Sequence, residues 1–236
     1  MYLEIILDIC KLLLSYIMYT YLFHGPSGAG KDTQVEMIMK DFDVERISTG
    51  EMVRSLFESN DPLGIEAHKY WGNGKFVPAE LTYKLLSEWV KKYDTKKDWI
   101  FVSVVRDVDQ IALFDNLMNE LGRKLDKFVH ISVGIDHIIK RKTLRTICPK
   151  CQATYHTEYK PEKTKGICDY DGTTLIQRKD DTKEATLSLI AEYKKSINEI
   201  MFEYEKRNIL LDIDGEPSID EVYKVIKNSL KFSHEK

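Results

Sequence analysis

Two short runs of this 236-residue chain combine residue types and spacings that can do chemistry. The first is GPSGAGKDTQ, residues 25–34. Gly25, Gly28 and Gly30 permit turns that aim successive backbone N–H groups at phosphate oxygens, and Lys31 adds a fixed positive charge. An acid, Asp32, follows the lysine directly, which is unexpected in a site built for anions. The second run is Cys148-Pro-Lys-Cys151, then sixteen residues, then Cys168-Asp-Tyr-Asp171. That is the spacing of a two-knuckle zinc site, and thiolates with one carboxylate suit tetrahedral Zn2+. Four ligands close the shell, so such a metal would be structural and would staple a segment that lacks a core of its own. His156 and Asp169 are rival fourth donors; Asp171 is preferred because it repeats the two-residue gap of the first pair.

A phosphate loop works only where a strand feeds it and a helix leaves it. The apolar run YIMYTYLF precedes residue 25, and DTQVEMIMKDF follows at helical spacing, so the context is present. Further β-rich runs stand at 44–48, 99–105, 127–133 and 208–213, separated by helical patterns, and this alternation predicts an α/β fold with a parallel sheet covered by helices. Two segments interrupt it. One, about 49–77, is a helical excursion; the other, about 145–180, holds the cysteines. The run from Asp181 to Arg207 then reads as one long amphipathic helix. Asp181 is expected as its cap, with Glu184 three residues on, and Leu187, Ile190, Ala191, Ile197, Met201 and Tyr204 form its apolar face.

Composition narrows the class. With 43% hydrophobic residues the chain can bury a sizeable core. The 35 basic and 38 acidic residues are interspersed and sum to −3, so no basic field recommends nucleic acid as a partner. Clustered cysteines argue for a metal and a reducing, cytoplasmic setting rather than disulfides. The apolar N-terminus is broken by Glu4, Asp8 and Lys11, which weighs against a membrane span; residues 1–17 read as an N-terminal extension.

From about Met18 onward the chain resembles the adenylate kinases, and more broadly the nucleoside monophosphate kinases, of the long form with a zinc-bearing lid. The likeness is carried by GPSGAGKDTQ, ISTGEMVR, KFVPAEL, VVRDVDQ, RKTLR, CPKC with CDYD, QRKDD and DIDG, in that order along the chain. It implies a P-loop kinase core over 18–236 with a five-stranded parallel sheet, a monophosphate-binding insertion at 48–77 and a zinc lid at 144–181. It also implies that Gly28, Ala29, Gly30, Lys31, Asp32 and Thr33 hold the phosphates of ATP, with Lys31 bridging the β and γ groups and Thr33 near Mg2+. Thr49, Arg54, Lys75, Phe76, Val77, Arg106 and Gln110 would hold the monophosphate, with Gln110 on the adenine edge. Arg141, Arg145 and Arg178 would converge on the transferring group, and Thr154 and Tyr155 would lie near the ATP base. ATP and AMP are then the partners of a monomer, with no membrane and no nucleic acid.

The chain departs from the family pattern at three places. Where relatives carry DGFPR, this chain has Val102, Ser103, Val104, Val105 and Arg106, so the acid that organises magnesium-bound water is lost. Eleven residues after Arg178 an arginine is replaced by Leu189, and the lid motif Gly-Arg-Arg reads Leu144-Arg145-Thr146. Asp32 stands where relatives have glycine; it either points away from the phosphates or orients a magnesium-bound water. The expected activity is phosphoryl transfer from ATP to a nucleoside monophosphate, AMP before CMP or UMP. A nucleotide-binding relative with weakened catalysis is the alternative.

Overall fold

The computed structural model describes residues 18–71, 75–151, 153–178 and 181–236. The expected extension at 1–17 lies outside the described residues. Five short strands, β1 (Thr20–His24), β2 (Val44–Ser48), β3 (Asp98–Val102), β4 (Lys127–Ser132) and β7 (Leu210–Asp214), form one parallel sheet in the order β2-β3-β1-β4-β7. Every residue of β1 and β3 is buried, as continuous apolar runs require when helices cover both faces. The pleat sends Leu22 to one face and Tyr21 and Phe23 to the other, and each face has its own core. On the Leu22 face, Trp99, Phe101 and Phe128 pack with Met52, Leu86, Phe114 and Tyr204. On the other, Ile100 and Val129 pack with Val35, Ile38 and Ile226.

The helices are α1 (Lys31–Asp41), α2 (Thr49–Glu58), α3 (Pro62–Trp71), α4 (Ala79–Trp89), α5 (Asp109–Glu120), α6 (Ile135–Thr143), α7 (Lys183–Lys206) and α8 (Ile219–Ser229). No described helix is long and apolar enough to cross a membrane. With β1 between β3 and β4, the loop that leaves it opens at the centre of the carboxyl edge of the sheet, where ligands bind in folds of this class. Helices α2 and α3 form the first excursion. The second contains an antiparallel pair, β5 (Arg145–Ile147) and β6 (Thr154–His156).

Three sequence expectations need correction. β3 stops at Val102, because Ser103 takes a left-handed backbone (φ 57°) and its N–H turns to the Phe23 carbonyl at 2.9 Å. Helix α7 is capped by Thr182, whose hydroxyl accepts from the Ala185 N–H at 3.2 Å; Asp181 is not its cap. The buried face of α7 is also rotated: Thr186, Ile190, Ile197, Ile200 and Tyr204 are buried, whereas Leu187 and Ala191 face solvent. This helix packs on both α6 and strand β7, and its buried face follows those two contacts.

Candidate active site

The glycine loop lies hard against β4. At Gly25 (φ 140°) a Cβ would stand 2.5 Å from the Ile131 carbonyl oxygen, so only glycine fits. Lys31, at the start of α1, is buried and folds back on the loop, donating to the carbonyls of Gly25 and Pro26, each at 2.8 Å. Burial lowers its pKa to about 8; Asp32 opposes the shift, and Arg106, Arg145 and Lys142 add to it. Three cations from distant parts of the chain therefore lie near enough for their charge to act on the loop lysine. Thr33 is half-buried in the first turn of α1. Asp32 faces Arg46 on β2, with Oδ1 3.6 Å from Nη1, and Arg46 also donates to Glu51 at 2.7 Å.

Opposite the loop, Thr49, Val53, Val77, Thr82, Arg106 and Gln110 line a small cavity between α2, α4 and the end of β3. The Thr49 hydroxyl donates to the Ser103 carbonyl at 3.2 Å and accepts from Arg106 Nη2 at 3.4 Å. Arg106 is buried deeply enough to lower its pKa to about 10, an arrangement that favours an anionic partner. Its guanidinium covers the Phe76 ring at 4.6 Å. Gln110 is held at both ends of its amide: Oε1 accepts from the Arg106 N–H and Nε2 donates to Asp107, both at 2.9 Å. Burial lowers the pKa of Arg54 as well, and its guanidinium lies beside Gly50. Lys75 is exposed at the cavity mouth.

Helix α6 and the segment before α7 supply the remaining cations. Arg141 donates to the Ala29 carbonyl at 3.3 Å and to the Gly215 carbonyl at 2.7 Å, which ties α6 to the loop and to the turn after β7. Arg145 forms a two-bond fork with buried Asp181, Nε at 2.8 Å and Nη2 at 2.6 Å. Lys142 Nζ approaches the same carboxylate at 3.4 Å. Arg178 is half-buried, and its carbonyl accepts from the Asp181 N–H at 3.1 Å. Val102, at the end of β3, packs among Phe23, Ile100 and Val129.

In the second excursion, Cys148, Cys151, Cys168 and Asp171 bring sulfur and oxygen donors within 4.8 Å of one another. Cys151 and Cys168 sulfurs are 3.5 Å apart, and Asp171 Oδ2 is 3.4 Å from the Cys148 sulfur. Zn–S bonds of about 2.3 Å in a tetrahedron give edges of about 3.8 Å, so the donor set fits that ion. Chiefly the Thr173 N–H holds the Asp171 carboxyl well below the usual carboxylate range and so keeps it an anionic donor. The rival donors point elsewhere. His156 Nδ1 accepts from the Glu158 and Tyr159 N–H groups, and Asp169 accepts from the Lys163 N–H. Tyr155 is buried with the cysteines and its hydroxyl accepts from the Asp169 N–H at 2.8 Å, while Thr154 and Tyr155 pair across β5–β6 with Ile147 and Thr146.

Sequence reasoning missed two residues. From its neighbours Asp181 reads as a helix cap, and nothing local marks it as the carboxylate that gathers Arg145 and Lys142. Lys142 did leave a signal: it follows buried Ile138 by four residues on α6 and so continues the buried face.

Comparisons with known proteins agree with this geometry. The family model described as adenylate kinase matches residues 23–209. The chain is 38% identical over 210 residues to an adenylate kinase of Acholeplasma laidlawii, covering 89% of this chain and 97% of that one. It is 37% identical over 210 residues to one from Carboxydothermus hydrogenoformans, covering 89% and 98%. With an adenylate kinase of Bacillus velezensis it shares 35% identity over 206 residues, covering 87% and 95%.

Proposed function

The chain belongs to the adenylate kinase family, and from that premise we propose that it moves the γ-phosphoryl group of ATP reversibly onto AMP, giving two ADP. Phosphoryl transfer to a nucleoside monophosphate is the family's reaction; AMP as the acceptor is the finer part of the proposal. The observation that carries it is buried Lys31 on the glycine loop, under the charge of Arg106, Arg145 and Lys142, with Arg106 also lining the Thr49–Gln110 cavity. Such transfer asks a protein chiefly for alignment and for positive charge around the moving group.

In this reading Gly28, Ala29, Gly30 and Lys31 hold the β- and γ-phosphates, Lys31 exchanging its two loop carbonyls for phosphate oxygens. Arg54 and Arg106 hold the phosphate of the acceptor beside Thr49. The fixed Gln110 amide keeps one oxygen lone pair and one N–H for a base edge, which suits the amino group and ring nitrogen of adenine. Cytosine presents the same pair of groups, so CMP is the competitor that matters. Arg141, Arg145 and Arg178 approach the transferring group when the lid at 144–181 and the insertion at 48–77 close and exclude water. Mg2+ would neutralise phosphate charge; Thr33 would be the residue that meets it, and apolar Val102 would offer it no ligand. Zn2+ on Cys148, Cys151, Cys168 and Asp171 would stabilise the lid. A monomer in the cytoplasm completes the proposal.

A coupled assay of ADP formation with AMP, CMP, UMP and GMP tests it. AMP should be used best. Comparable turnover with CMP would reassign the acceptor, and ATP binding without turnover would favour the weakened relative to which the apolar Val102 points.

A further inference from the structure

Lys142 is wholly buried, a placement that an ammonium rarely tolerates without a purpose. Its stem lies on the glycine loop: a Cβ at Gly28 would sit 3.0 Å from Lys142 Cγ. Its ammonium is 3.4 Å from Asp181, but that carboxylate already takes the closer, two-bond fork of Arg145. One carboxylate thus gathers two cations at the edge of the cleft, and Lys142 is near enough to the loop lysine to depress its protonation. A lysine needed only for packing could be an apolar residue at far lower desolvation cost.

We propose that Lys142 is a catalytic residue that places its ammonium on the phosphate oxygens held by the loop and stabilises the transferring phosphoryl group. This rests on the phosphotransferase reading above. In the transfer a bond forms between an acceptor phosphate oxygen and the γ-phosphorus while the bond from that phosphorus to the β,γ-bridging oxygen breaks. The electron pair of the broken bond leaves on ADP, and Lys142 gives up no proton. Its charge balances the build-up on the oxygens, alongside Arg145, with which it shares Asp181. Helix α7, which packs on α6, carries half-buried Leu189 where the family pattern has an arginine, so Lys142 supplies from α6 a charge that α7 lacks.

The test uses the full chain and measures kcat, ATP KM, zinc content and thermal unfolding for Lys142→Met, Lys142→Gln and the double variant Lys142→Met with Leu189→Arg. If the proposal is right, Lys142→Met lowers kcat about a hundredfold, as loss of one preorganised donor does, with ATP KM changed by less than about threefold. Adding Leu189→Arg should recover at least about tenfold of that loss, a rescue that a merely structural lysine would not show. An active wild type with an equally active Lys142→Met overturns this proposal alone. Failure of both single variants to fold, or loss of turnover that Leu189→Arg leaves untouched, also overturns it by making the ammonium structural. A wild type that forms no ADP from any monophosphate overturns the phosphotransferase reading and this proposal with it.

Discussion

Asp32 and Arg46 face each other across 3.6 Å between the first turn of α1 and β2, while the loop lysine beside Asp32 donates to the Gly25 and Pro26 carbonyls. The acid that follows the phosphate loop is therefore engaged with the sheet side of α1. Its side chain is 59% exposed, so the pair contributes under about 1 kcal/mol. Asp32→Asn should leave thermal stability almost unchanged and ATP affinity equal or slightly stronger, because a repulsive charge is gone. A higher magnesium requirement for turnover would show instead that Asp32 orients magnesium-bound water.

Lys31 makes ATP binding pH-dependent. Its pKa is lowered by burial from an ordinary 10.5 to about 8 in the free protein, and phosphate oxygens favour the ammonium, so the bound state should titrate higher. Between those two pKa values binding takes up a proton, and ATP affinity falls as pH rises above about 8, by up to about tenfold per pH unit. Calorimetry at pH 9 in two buffers of different ionisation enthalpy counts that proton. No uptake, or uptake unchanged in Lys31→Met, would assign the effect elsewhere. The same shift bears on folding. The unfolded chain holds the proton up to 10.5 and the folded one only to about 8, so this lysine weakens folding below pH 8 and the penalty fades as pH rises through that window.

The lid should carry about one zinc per chain, as expected of one closed four-donor site. Asp171→Ala should weaken zinc binding at least about tenfold, whereas His156→Ala should leave it unchanged, since His156 stands outside the group of converging donors. Hydrogen exchange after chelation should loosen residues 145–176 before the sheet. Metal analysis without zinc, or equal exchange everywhere, would refute the stapling role.

Val102→Asp tests the missing acid. Val102 is buried among Phe23, Ile100 and Val129, so a carboxylate there should cost about 2–4 kcal/mol of stability without magnesium. The same variant should reach half-maximal turnover at lower magnesium, because a carboxylate beside the phosphates anchors the hydrated ion. Destabilisation with an unchanged magnesium requirement would show that the end of β3 does not face the metal.

Much of this molecule is legible locally. The strand-loop-helix around Lys31, the β-rich runs and the cysteine spacing are short-range patterns, because strand burial, glycine turns and ligand gaps are written in neighbouring residues. The carbonyl contact at Gly25 follows from the same local grammar, although its partner Ile131 does not.

The amino-acid sequence by itself determined the α/β class, the phosphate loop and the metal donor set, since each depends on residue type and spacing within a few turns of chain. Tertiary structure alone decided what the isolated charges do. Arg145 and Asp181 are 36 positions apart, yet their fork, with Lys142 beside it, sets the charge at the cleft. Asp181 reads as a cap from its neighbours and acts as a counter-ion through space. The rotated face of α7, which exposes Leu187 and buries Ile200, is likewise set by packing against α6 and the sheet. Helical periodicity says that a buried stripe exists, but the direction it faces, and which charges are desolvated beneath it, depends on surfaces brought together only by folding.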